Sequence, residues 1–485
     1  MHARFGLLID NEWRQASDGL RKAVRSPVSG EEVGTIPMAT AADIAAALAS
    51  AAVGFRHWRS VAAWDRAAVL RRAADLMRER ASDIARMMST ETGKPLAEAR
   101  GETLAAADQF EWYGEEAKRV YGQTIPGRTL EDRLSVIYQP VGVCLSLSAW
   151  NFPALLPARK IAAALAAGCS VIARPASEAA GACFAIGQAL CDAGLPRGAL
   201  GILTGEATLL SETLIASPVI RKVSLTGSVP VGKRILALCA AGVKRVSMEL
   251  GGHAPAIVHA DANPVTAAQK LAAAKFRNSG QVCISPSRFY VHEKVKSEFE
   301  AAFADCARKI VVGDGLVDGV SMGPMIRDSA VVSALMLIED AQGRGARIIA
   351  GGRRPPNFNK GSFLEPTVLG NVPDNARIMQ EEPFAPVAPI AGFSELEEVL
   401  DRANAVPFGL AGYVFTNDAA LADLTAEGLE VGMVGVNETM LATAEAPFGG
   451  VKESGFGREG GALGIKDYLE PKYVRRKLVA RALSA

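Results

Sequence analysis

One of the seven cysteines in the chain lies in a segment suited to nucleophilic chemistry. Small and polar residues surround Cys283 in segment 276–285, whereas the other six cysteines lie in segments rich in Ala, Leu and Ile. The thiolate is the attacking form of cysteine, and a free thiol has a pKa of about 8.5, so a working cysteine needs a base, a dipole or partial exposure. The alternative is a small buried residue like the others. Cys283 is therefore a candidate nucleophile.

Two further segments carry groups that would complete a site around such a thiol. Glu249 ends an apolar β-type run and precedes two glycines, a position where loop residues often carry function. Asn151 follows another β-type run and precedes a helix opened by Pro153, which places an amide donor at the end of a strand. Taken singly, a solvated glutamate and a helix-capping asparagine are the simpler explanations.

A glycine-bearing turn follows the apolar run 222–225 and leads into a helical segment. Such a turn presents free N–H groups and the positive end of a helix dipole, which suits a pyrophosphate. The spacing of Gly227 from Gly232 and Lys233 resembles a P-loop. Arg234, however, stands where Ser or Thr would hold magnesium, which disfavours a nucleotide hydrolase. An ordinary strand–helix turn explains this segment equally well.

The elements that would position these residues alternate in type. The N-terminal third predicts helices over 41–58 and 63–90, where apolar residues recur at helical spacing. The β-type runs that follow are 136–137, 141–147, 169–173, 199–203, 222–225 and 245–248, and the helical segments between them are 154–167, 177–193 and 230–240. Continuous apolar strands separated by helices indicate a parallel sheet covered on both faces.

A second alternating series begins near Ala254. Its predicted strands are 288–292, 347–349 and 387–390, and its predicted helices are 294–309 and 329–342. We interpret this series as a second α/β domain, joined to the first close to Gly251 and Gly252. The basic, β-prone segment 468–478 is a candidate arm that adds to the sheet of a partner.

Composition and charge exclude several classes of protein. The 485 residues are 49% hydrophobic and 22% charged with a net charge of +1, so no global field recruits nucleic acid or an anionic membrane surface. No secretory signal opens the chain, and prolines interrupt the uncharged stretch 134–158, so no membrane span is expected. Scattered cysteines without a C-x-x-C pair argue against disulfides and zinc sites and predict a cytoplasmic protein.

Seven motifs, taken in order, resemble the aldehyde dehydrogenase superfamily over essentially the whole chain. They are Trp150-Asn151-Phe152-Pro153, Arg174-Pro175-Ala176-Ser177, Thr226-Gly227-Ser228, Met248-Glu249-Leu250-Gly251-Gly252, Gly280-Gln281-Val282-Cys283, Glu381-Glu382-Pro383-Phe384 and Pro447-Phe448-Gly449-Gly450. The separation of 34 residues between Glu249 and Cys283 is also that of the family.

The resemblance implies an α/β fold with a Rossmann-like dinucleotide-binding domain, a second α/β catalytic domain and a small β oligomerisation arm. Residues 1–119 and 139–250 would bind NAD(P), residues 251–445 would form the catalytic domain with the nucleophile, and residues 120–138 and 466–485 would form the arm. The family also implies a homodimer or homotetramer and no metal.

The resemblance assigns a role to each catalytic candidate. Cys283 would add to the aldehyde, with the Asn151 side chain and the Cys283 backbone N–H as an oxyanion hole, where a lost donor typically costs about 2.7–4 kcal/mol. Collapse of the oxyanion would send hydride to the nicotinamide and leave a thioester. Glu249 would then activate water to hydrolyse the thioester, and would help to deprotonate Cys283 beforehand.

The resemblance also implies a set of cofactor-binding residues. These are Trp150, Arg174, Ser177, Gly227, Ser228, Glu382 and Phe384. Ser228 would contact the pyrophosphate, and Glu382 and Phe384 would hold the nicotinamide ribose and ring. Arg174 stands where the family usually has lysine, and Ser177 where NAD-preferring members often have glutamate. Because serine beside a guanidinium accepts a 2′-phosphate that glutamate would repel, we expect NADP to be used, alongside NAD.

Segments 275–283 and 445–450 look most like those of succinate-semialdehyde and 2-oxoglutarate-semialdehyde dehydrogenases. In the first group two arginines and a hydroxyl bind the distal carboxylate, and the matching positions are Arg159, Arg277 and Thr443. A guanidinium binds carboxylate bidentately and is always charged, so succinate semialdehyde is the expected substrate. Either arginine could instead pair with an internal carboxylate.

Other functions stay open on the sequence alone. They are a 2-oxoglutarate-semialdehyde dehydrogenase, an aldehyde dehydrogenase for neutral aromatic or aliphatic aldehydes, and a binding protein of this fold without catalysis. A coenzyme A acyl-transferring enzyme is disfavoured, because water needs the base Glu249 more than a thiol does. Ser285, two residues after Cys283, excludes a local disulfide switch at that position.

Overall fold

The computed structural model describes residues 5–478 as an alternation of strands and helices. The strands are β1 (Leu7–Ile9), β2 (Glu12–Arg14), β3 (Arg21–Arg25), β4 (Glu32–Pro37), β5 (Gln123–Pro126), β6 (Asp132–Pro140), β7 (Val143–Leu147), β8 (Ser170–Arg174), β9 (Leu200–Ile202), β10 (Ile220–Thr226), β11 (Arg245–Glu249), β12 (Ala254–Val258), β13 (Pro286–His292), β14 (Arg347–Ala350), β15 (Thr367–Gly370), β16 (Val387–Phe393), β17 (Phe408–Gly409), β18 (Ala411–Phe415), β19 (Met433–Val436), β20 (Val451–Lys452), β21 (Gly455–Phe456) and β22 (Leu469–Lys477). The helices are α1 (Ala41–Trp58), α2 (Ala63–Glu79), α3 (Ala81–Thr92), α4 (Leu96–Glu116), α5 (Leu155–Ala167), α6 (Gly181–Asp192), α7 (Ala207–Ala216), α8 (Val229–Ala240), α9 (Pro264–Phe276), α10 (Glu293–Arg308), α11 (Asp328–Gly343), α12 (Arg377–Gln380), α13 (Leu396–Asn404), α14 (Ala419–Gly428) and α15 (Gly461–Gly464). Residues 1–4 and 479–485 of the predicted dinucleotide-binding domain and arm lie outside the described residues.

The first sheet has the strand order β2-β1-β9-β8-β7-β10-β11-β21. The five central strands, β9, β8, β7, β10 and β11, are parallel. Antiparallel strands form both edges of the sheet. Helices α2 to α6 contribute to the core on one face, and α1, α7 and α8 to the core on the other. Burial on both faces explains why these strands read as continuous apolar runs.

The carboxyl ends of four central strands meet at one edge of this sheet. Leu147 of β7 is paired with Arg174 of β8, Leu225 is paired with Leu147, and Thr226 of β10 is paired with Glu249 of β11. In an open parallel sheet this edge is where ligands bind. The segments after these strands carry most of the predicted site residues.

The second sheet has the strand order β14-β15-β16-β13-β12-β18-β19 and is parallel except for β14. The chain leaves the first sheet at β11 and enters the second at β12, and the segment 277–285 that contains Cys283 connects α9 to β13. After β19 the chain returns, and β21 pairs with β11. The nucleophile segment of one half therefore faces the strand ends of the other.

A third, antiparallel sheet has the order β22-β6-β5. Strands β22 and β6 pair along nine positions, from Leu469 opposite Pro140 to Lys477 opposite Asp132. Asp132 also accepts two hydrogen bonds from the Arg475 guanidinium, at 3.2 and 2.9 Å. The predicted segment 468–478 is thus a strand that pairs with its own chain and leaves its outer edge open.

The predicted α/β class with a Rossmann-like sheet is confirmed, but three local predictions were wrong or incomplete. The helix predicted over 63–90 is two helices, α2 and α3, because the chain bends at Arg80 (φ −97°, ψ 8°) and both helices pack against α4. The run 136–137 lies in β6 and not in the parallel sheet. Strands β1 to β4 were not predicted, because they are short and mix polar with apolar residues.

Candidate active site

Cys283 follows three consecutive residues in the left-handed region. Asn278, Ser279 and Gly280 have φ values of 47°, 56° and 72°. A Cβ on Gly280 would come within 2.1 Å of the Ala385 carbonyl oxygen, so the backbone approach requires glycine. Such strained conformations persist only where the surroundings fix them. The turn thus holds the half-buried Cys283 in one place.

Asn151 is brought to the same place from the end of β7. Its side-chain Nδ2 donates to the Gln281 carbonyl at 3.1 Å, which fixes the amide and leaves its second N–H free for another acceptor. Gln281 is itself tied to the turn, since its Nε2 donates to the Asn278 carbonyl at 3.0 Å. Asn151 and Cys283 both line one cavity.

This cavity, of about 260 Å³, brings together residues from both halves of the chain. Its walls are Ala149, Trp150, Asn151, Thr226, Gly227, Ser228, Leu250, Gly251, Cys283, Arg327, Glu382 and Phe384. Seven of the predicted catalytic and cofactor residues are among them. Arg327 was not predicted, and its isolated position in a loop gave no signal in the sequence.

Glu249 is buried at the end of β11, beside the cavity rather than in its walls. Neither carboxylate oxygen has a hydrogen-bond partner within residues 5–478. A Cβ on Gly449 would come within 2.7 Å of Oε1, so the carboxylate packs directly on this glycine. Burial, and then the charge of Glu459, raise the pKa of Glu249 well above its usual value, against the opposing effect of Lys160.

The Cys283 thiol is also held in its neutral form. Burial is the largest cause, followed by the charges of Glu249 and Glu382, and together they raise the pKa of Cys283 to about 12. The guanidinium of Arg159 acts in the opposite direction. The thiol therefore needs a base at the moment of attack.

A buried ion pair next to Glu249 was missed from the sequence. Lys160 Nζ contacts Glu459 Oε1 at 2.6 Å and donates to Thr226 Oγ1 at 2.5 Å, and both charged side chains are buried. Adjacent cations at 159 and 160 in an otherwise apolar helical segment were the available signal. The pair joins α5 and β10 to the segment after β21.

The predicted cofactor side of the cavity consists of a turn, a carboxylate and two aromatic rings. Ser228 precedes α8 without a side-chain capping bond, so its hydroxyl and the first N–H groups of the helix stay available. Glu382 Oε1 accepts from the Gly252 N–H at 3.2 Å. Phe384, with φ 40°, lies edge-on to Trp150 at 5.8 Å between ring centroids. A helix N-terminus for a diphosphate, a carboxylate for hydroxyls and a ring for a pyridine fit a nicotinamide dinucleotide.

Burial shifts the pKa values of two ionisable groups, Glu382 and Lys275, towards neutrality. It raises the pKa of Glu382 to about 8, partly offset by the Gly252 N–H and by Lys275. It lowers the pKa of Lys275 to about 7, partly offset by Glu382. Lys275 Nζ is buried and has no hydrogen-bond partner in the described part of the chain.

Arg174 and Ser177 lie apart from the walls of this cavity, at the end of β8 and in the turn after it. Burial lowers the pKa of Arg174, and the charges of Glu178 and Glu206 oppose that effect. Glu206 caps α7 by accepting two backbone N–H groups. The guanidinium thus has acidic neighbours but no ion pair within 4.0 Å among residues 5–478.

The substrate candidates Arg159 and Arg277 both lie over aromatic rings. The Arg159 guanidinium is 4.1 Å from the Phe448 centroid, and that of Arg277 is 5.1 Å from the Phe152 centroid. Phe152 and Phe448 belong to one apolar cluster, against which Cys283 also packs. Neither arginine forms an ion pair with a carboxylate of the described chain. The alternative interpretation, in which these arginines pair with internal carboxylates, is therefore not supported.

Thr443 lies in the wall of a different cavity, of about 520 Å³, between α4 and the segment 440–445. Gln109 and Trp112 of α4 line the same cavity. No hydrogen bond joins the Thr443 side chain to Arg159 or Arg277 in the part of the chain that is described. The structure therefore brings the two arginines to the rings near Cys283 but leaves Thr443 outside that group.

The lysine of the P-loop-like turn does not face the cavity. Lys233 Nζ contacts Glu453 at 2.7 Å, and Arg234 contacts Glu212 at 2.7 Å, with all four side chains substantially exposed. Residues 5–478 contain no group of three or more His, Cys, Asp or Glu arranged to hold a metal ion. Within the same residues, no helix combines the length and the apolar character that a membrane crossing needs.

Comparison with known proteins agrees with this geometry. The chain matches the aldehyde dehydrogenase family over residues 13–474 and belongs to that family. It is 42% identical to the succinate-semialdehyde dehydrogenase [NADP(+)] GabD of Escherichia coli (strain K12), 42% to a glutarate-semialdehyde dehydrogenase of Pseudomonas aeruginosa and 45% to a 3-sulfolactaldehyde dehydrogenase of Pseudomonas putida, with 96% of each chain covered. The crystal structure of an E. coli NADP-dependent enzyme superposes with a TM-score of 0.96 at 41% identity, over 98% of both chains. The predicted class, an NAD(P)-dependent aldehyde dehydrogenase, is confirmed.

Proposed function

We propose that the enzyme oxidises an aldehyde that carries an anion at its far end, with succinate semialdehyde as the first candidate. The observation that carries this choice is the Arg159 guanidinium, which is 2% exposed and whose Nε and Nη2 have no partner among the described residues. A buried guanidinium with unpaired N–H groups is costly, and hydrogen bonds to a substrate carboxylate would offset that cost. Arg277, over Phe152 in the same apolar cluster, supports the same interpretation.

The first chemical step joins the Cys283 sulfur to the aldehyde carbon. Ionised Glu249 is a strong base because its pKa is raised, and it takes the thiol proton as the sulfur attacks. The carbonyl oxygen gains the negative charge and accepts hydrogen bonds from the second N–H of the Asn151 amide and from the Cys283 backbone. Bound NAD(P) supplies the acceptor for the hydride that leaves this adduct.

The second step releases the acid. Glu249 first releases the thiol proton to solvent and is ionised again. It then takes a proton from water as the water oxygen bonds to the acyl carbon, and the carbon–sulfur bond breaks and the Cys283 sulfur regains a proton. Both oxygens of Glu249 lack a hydrogen-bond partner within residues 5–478, which leaves them free to accept from water. Lys160, Glu382 and the aromatic rings hold the surrounding walls rather than react.

For the cofactor we propose NADP, with NAD as a second substrate. Arg174 supplies a cation and Ser177 a small hydroxyl where a 2′-phosphate would lie, which supports NADP. Glu178 and Glu206 near Arg174 weaken the preference. The relative from E. coli, named as NADP(+)-dependent, is consistent with it.

For the architecture we propose that residues 1–119 and 139–250 bind the dinucleotide, that residues 251–445 form the catalytic domain, and that residues 120–138 and 466–485 form an oligomerisation arm. The open edge of β22 supports a homodimer or homotetramer built through the arm. We further propose a cytoplasmic location, as the cysteine usage suggests. Light scattering of the purified protein would test the assembly.

A sulfonated aldehyde is the second candidate substrate. The relative with 45% identity is named for 3-sulfolactaldehyde, and a guanidinium binds sulfonate oxygens as it binds carboxylate. Glutarate semialdehyde and 2-oxoglutarate semialdehyde carry the same terminal group as succinate semialdehyde and differ in length or in an added carbonyl.

The experiment is a steady-state comparison of charged and neutral aldehydes. Succinate semialdehyde is compared with its methyl ester, which removes the charge and adds one methyl group. It is also compared with glutarate semialdehyde, 2-oxoglutarate semialdehyde, 3-sulfolactaldehyde, hexanal and benzaldehyde, each with NADP and with NAD. We expect the free acid to exceed its ester in kcat/KM by about tenfold or more, as one charged hydrogen-bonded pair allows. Equal values would contradict an anion site.

A further inference from the structure

The main chain at Asn151 is held by a buried network that reaches it from α4. The Asn151 carbonyl oxygen accepts from Lys94 Nζ at 2.9 Å and from Asn278 Nδ2 at 3.1 Å. A carbonyl has two lone pairs, so both are used. Asn278 belongs to the left-handed turn before Cys283, and Lys94 belongs to the junction of α3 and α4. Two separate segments therefore converge on the residue that carries the oxyanion donor.

Lys94 is one half of a fully enclosed ion pair. Its Nζ contacts Glu102 Oε2, and the two side chains are 1% and 0% exposed. Glu102 Oε1 accepts from the Ala154 N–H at 2.8 Å and from the Leu155 N–H at 3.2 Å, where α5 begins. The pair therefore binds both ends of the segment 151–155. Lys94 donates to the Asn151 carbonyl at its start, and Glu102 accepts from the N–H groups of Ala154 and Leu155 at its end.

The contacts of the pair are directed at this segment. Lys94 Nζ also lies 4.3 Å from the centroid of Phe152, the residue after Asn151. Replacing a buried ion pair with apolar residues is often neutral or stabilising, so stability alone is a weak reason for such a pair. Its hydrogen bonds instead fix the orientation of residues 151–155, and misplacement of a reacting group by about 1 Å can cost about 100-fold in rate.

We propose that Lys94 and Glu102 are positioning residues for the oxidation: they fix the backbone of Asn151 so that its side-chain amide faces the oxygen of the aldehyde adduct on Cys283. This inference rests on the proposed role of Asn151 as an oxyanion donor. Neither Lys94 nor Glu102 touches substrate, because both are enclosed and neither lines the cavity of Cys283.

A double-mutant cycle on the full-length enzyme tests the proposal. Lys94→Met keeps the length of the side chain and removes its charge and donors. We expect it to lower kcat by about 10- to 100-fold with KM changed less than about threefold. In an Asn151→Ala background the same substitution is expected to lower kcat by less than about threefold, because the amide that Lys94 positions is already gone.

Glu102→Gln and a distant control complete the design. Glu102→Gln keeps the shape and one acceptor, so it is expected to show the same non-additivity with a smaller loss, and it serves if Lys94→Met does not fold. Lys222→Met removes another buried lysine, one that donates to Ser247 Oγ at 2.9 Å and does not line the cavity of Cys283. We expect it to lower the unfolding temperature but to change kcat less than about twofold.

The outcomes separate this proposal from the function on which it rests. Multiplicative losses for the position 94 and 151 substitutions, or a loss in Lys222→Met as large as that in Lys94→Met, would show a general structural effect and overturn the positioning role. An Asn151→Ala enzyme with unchanged kcat would instead overturn the oxyanion role itself. Fluorescence quenching by NADP checks that each variant still binds the dinucleotide.

Discussion

In the proposed function, the two sides of Cys283 recognise their ligands in different ways. The cofactor side uses a strand–helix turn at Ser228, a carboxylate at Glu382 and the ring of Phe384, all placed by strand ends and by the backbone. The substrate side uses the guanidinium groups of Arg159 and Arg277, which lie over rings and have no carboxylate partner in residues 5–478. In the proposed function the first side suits any dinucleotide-dependent dehydrogenase, and the second selects the aldehyde.

Removal of the sulfur between the two sides should have the largest effect. Cys283→Ala deletes the nucleophile but leaves the walls of the cofactor cavity in place, so we expect a loss of at least about 10³-fold in kcat. NADP affinity, measured by fluorescence quenching, should change less than about threefold. A variant that lost cofactor binding to the same extent as turnover would contradict the separation of the two sides.

Replacement of the shared base should rank next. Glu249→Gln is expected to slow thioester hydrolysis by about 10²-fold or more, the usual contribution of a general base, and to slow adduct formation less. Rapid-mixing measurements of NADPH formation should then show a burst followed by a slow steady state. A uniform loss without a burst would mean that Glu249 acts mainly before the thioester forms.

Variants of the arginines test the substrate side alone. Arg159→Ala is expected to reduce kcat/KM for succinate semialdehyde by about 10- to 100-fold, since one charged hydrogen-bonded contact is worth about 1.5–3 kcal/mol. The value for its methyl ester should change much less. Arg277→Ala should act in the same direction. An unchanged preference for the acid over the ester in both variants would remove the anion site.

A variant of Ser177 tests the cofactor side alone. Ser177→Glu is expected to lower the ratio of kcat/KM with NADP to that with NAD by about tenfold, because a carboxylate repels a 2′-phosphate. Ser177→Ala, which adds no charge, is the matched control and should leave the ratio within about threefold of the parent. Preference between acid and ester should stay constant in both variants.

The smallest expected effect is a shift in pH dependence. The charge of Glu459 raises the pKa of Glu249. Glu459 also pairs with Lys160, the cation whose charge lowers the pKa of Glu249. Glu459→Gln should therefore lower the pKa of Glu249 and move the acid limb of thioester hydrolysis to lower pH. A rate profile between about pH 5 and pH 9 measures the shift. Displacement to higher pH would contradict this assignment of charges.

The sequence predicted the strand-end residues better than the residues that support them. Asn151 could be found because it follows a predicted strand, Cys283 because small and polar residues surround it, and Glu382 through its family motif. Lys94 and Glu102 could not, since their pairing depends on how α4 packs against α5, and nothing in either segment marks the contact. Pairing over such distances is a property of tertiary packing rather than of local pattern.

Thr443 and the 63–90 helix show the same limit. Thr443 was assigned by likeness within a loop and lines a cavity other than that of Cys283, so its contact with substrate stays a prediction. The bend at Arg80 interrupts a segment whose apolar spacing continues on both sides, so periodicity alone does not reveal it.

The return of the chain from the second sheet to the first has a consequence for denaturation. Strand β21 pairs with β11 only after the whole second sheet has been completed, so the first sheet cannot close without its distant C-terminal neighbour. The two halves should therefore melt as one cooperative unit. Calorimetry is expected to give a single heat-absorption peak, and proteolysis under native conditions should not release either half as a stable fragment.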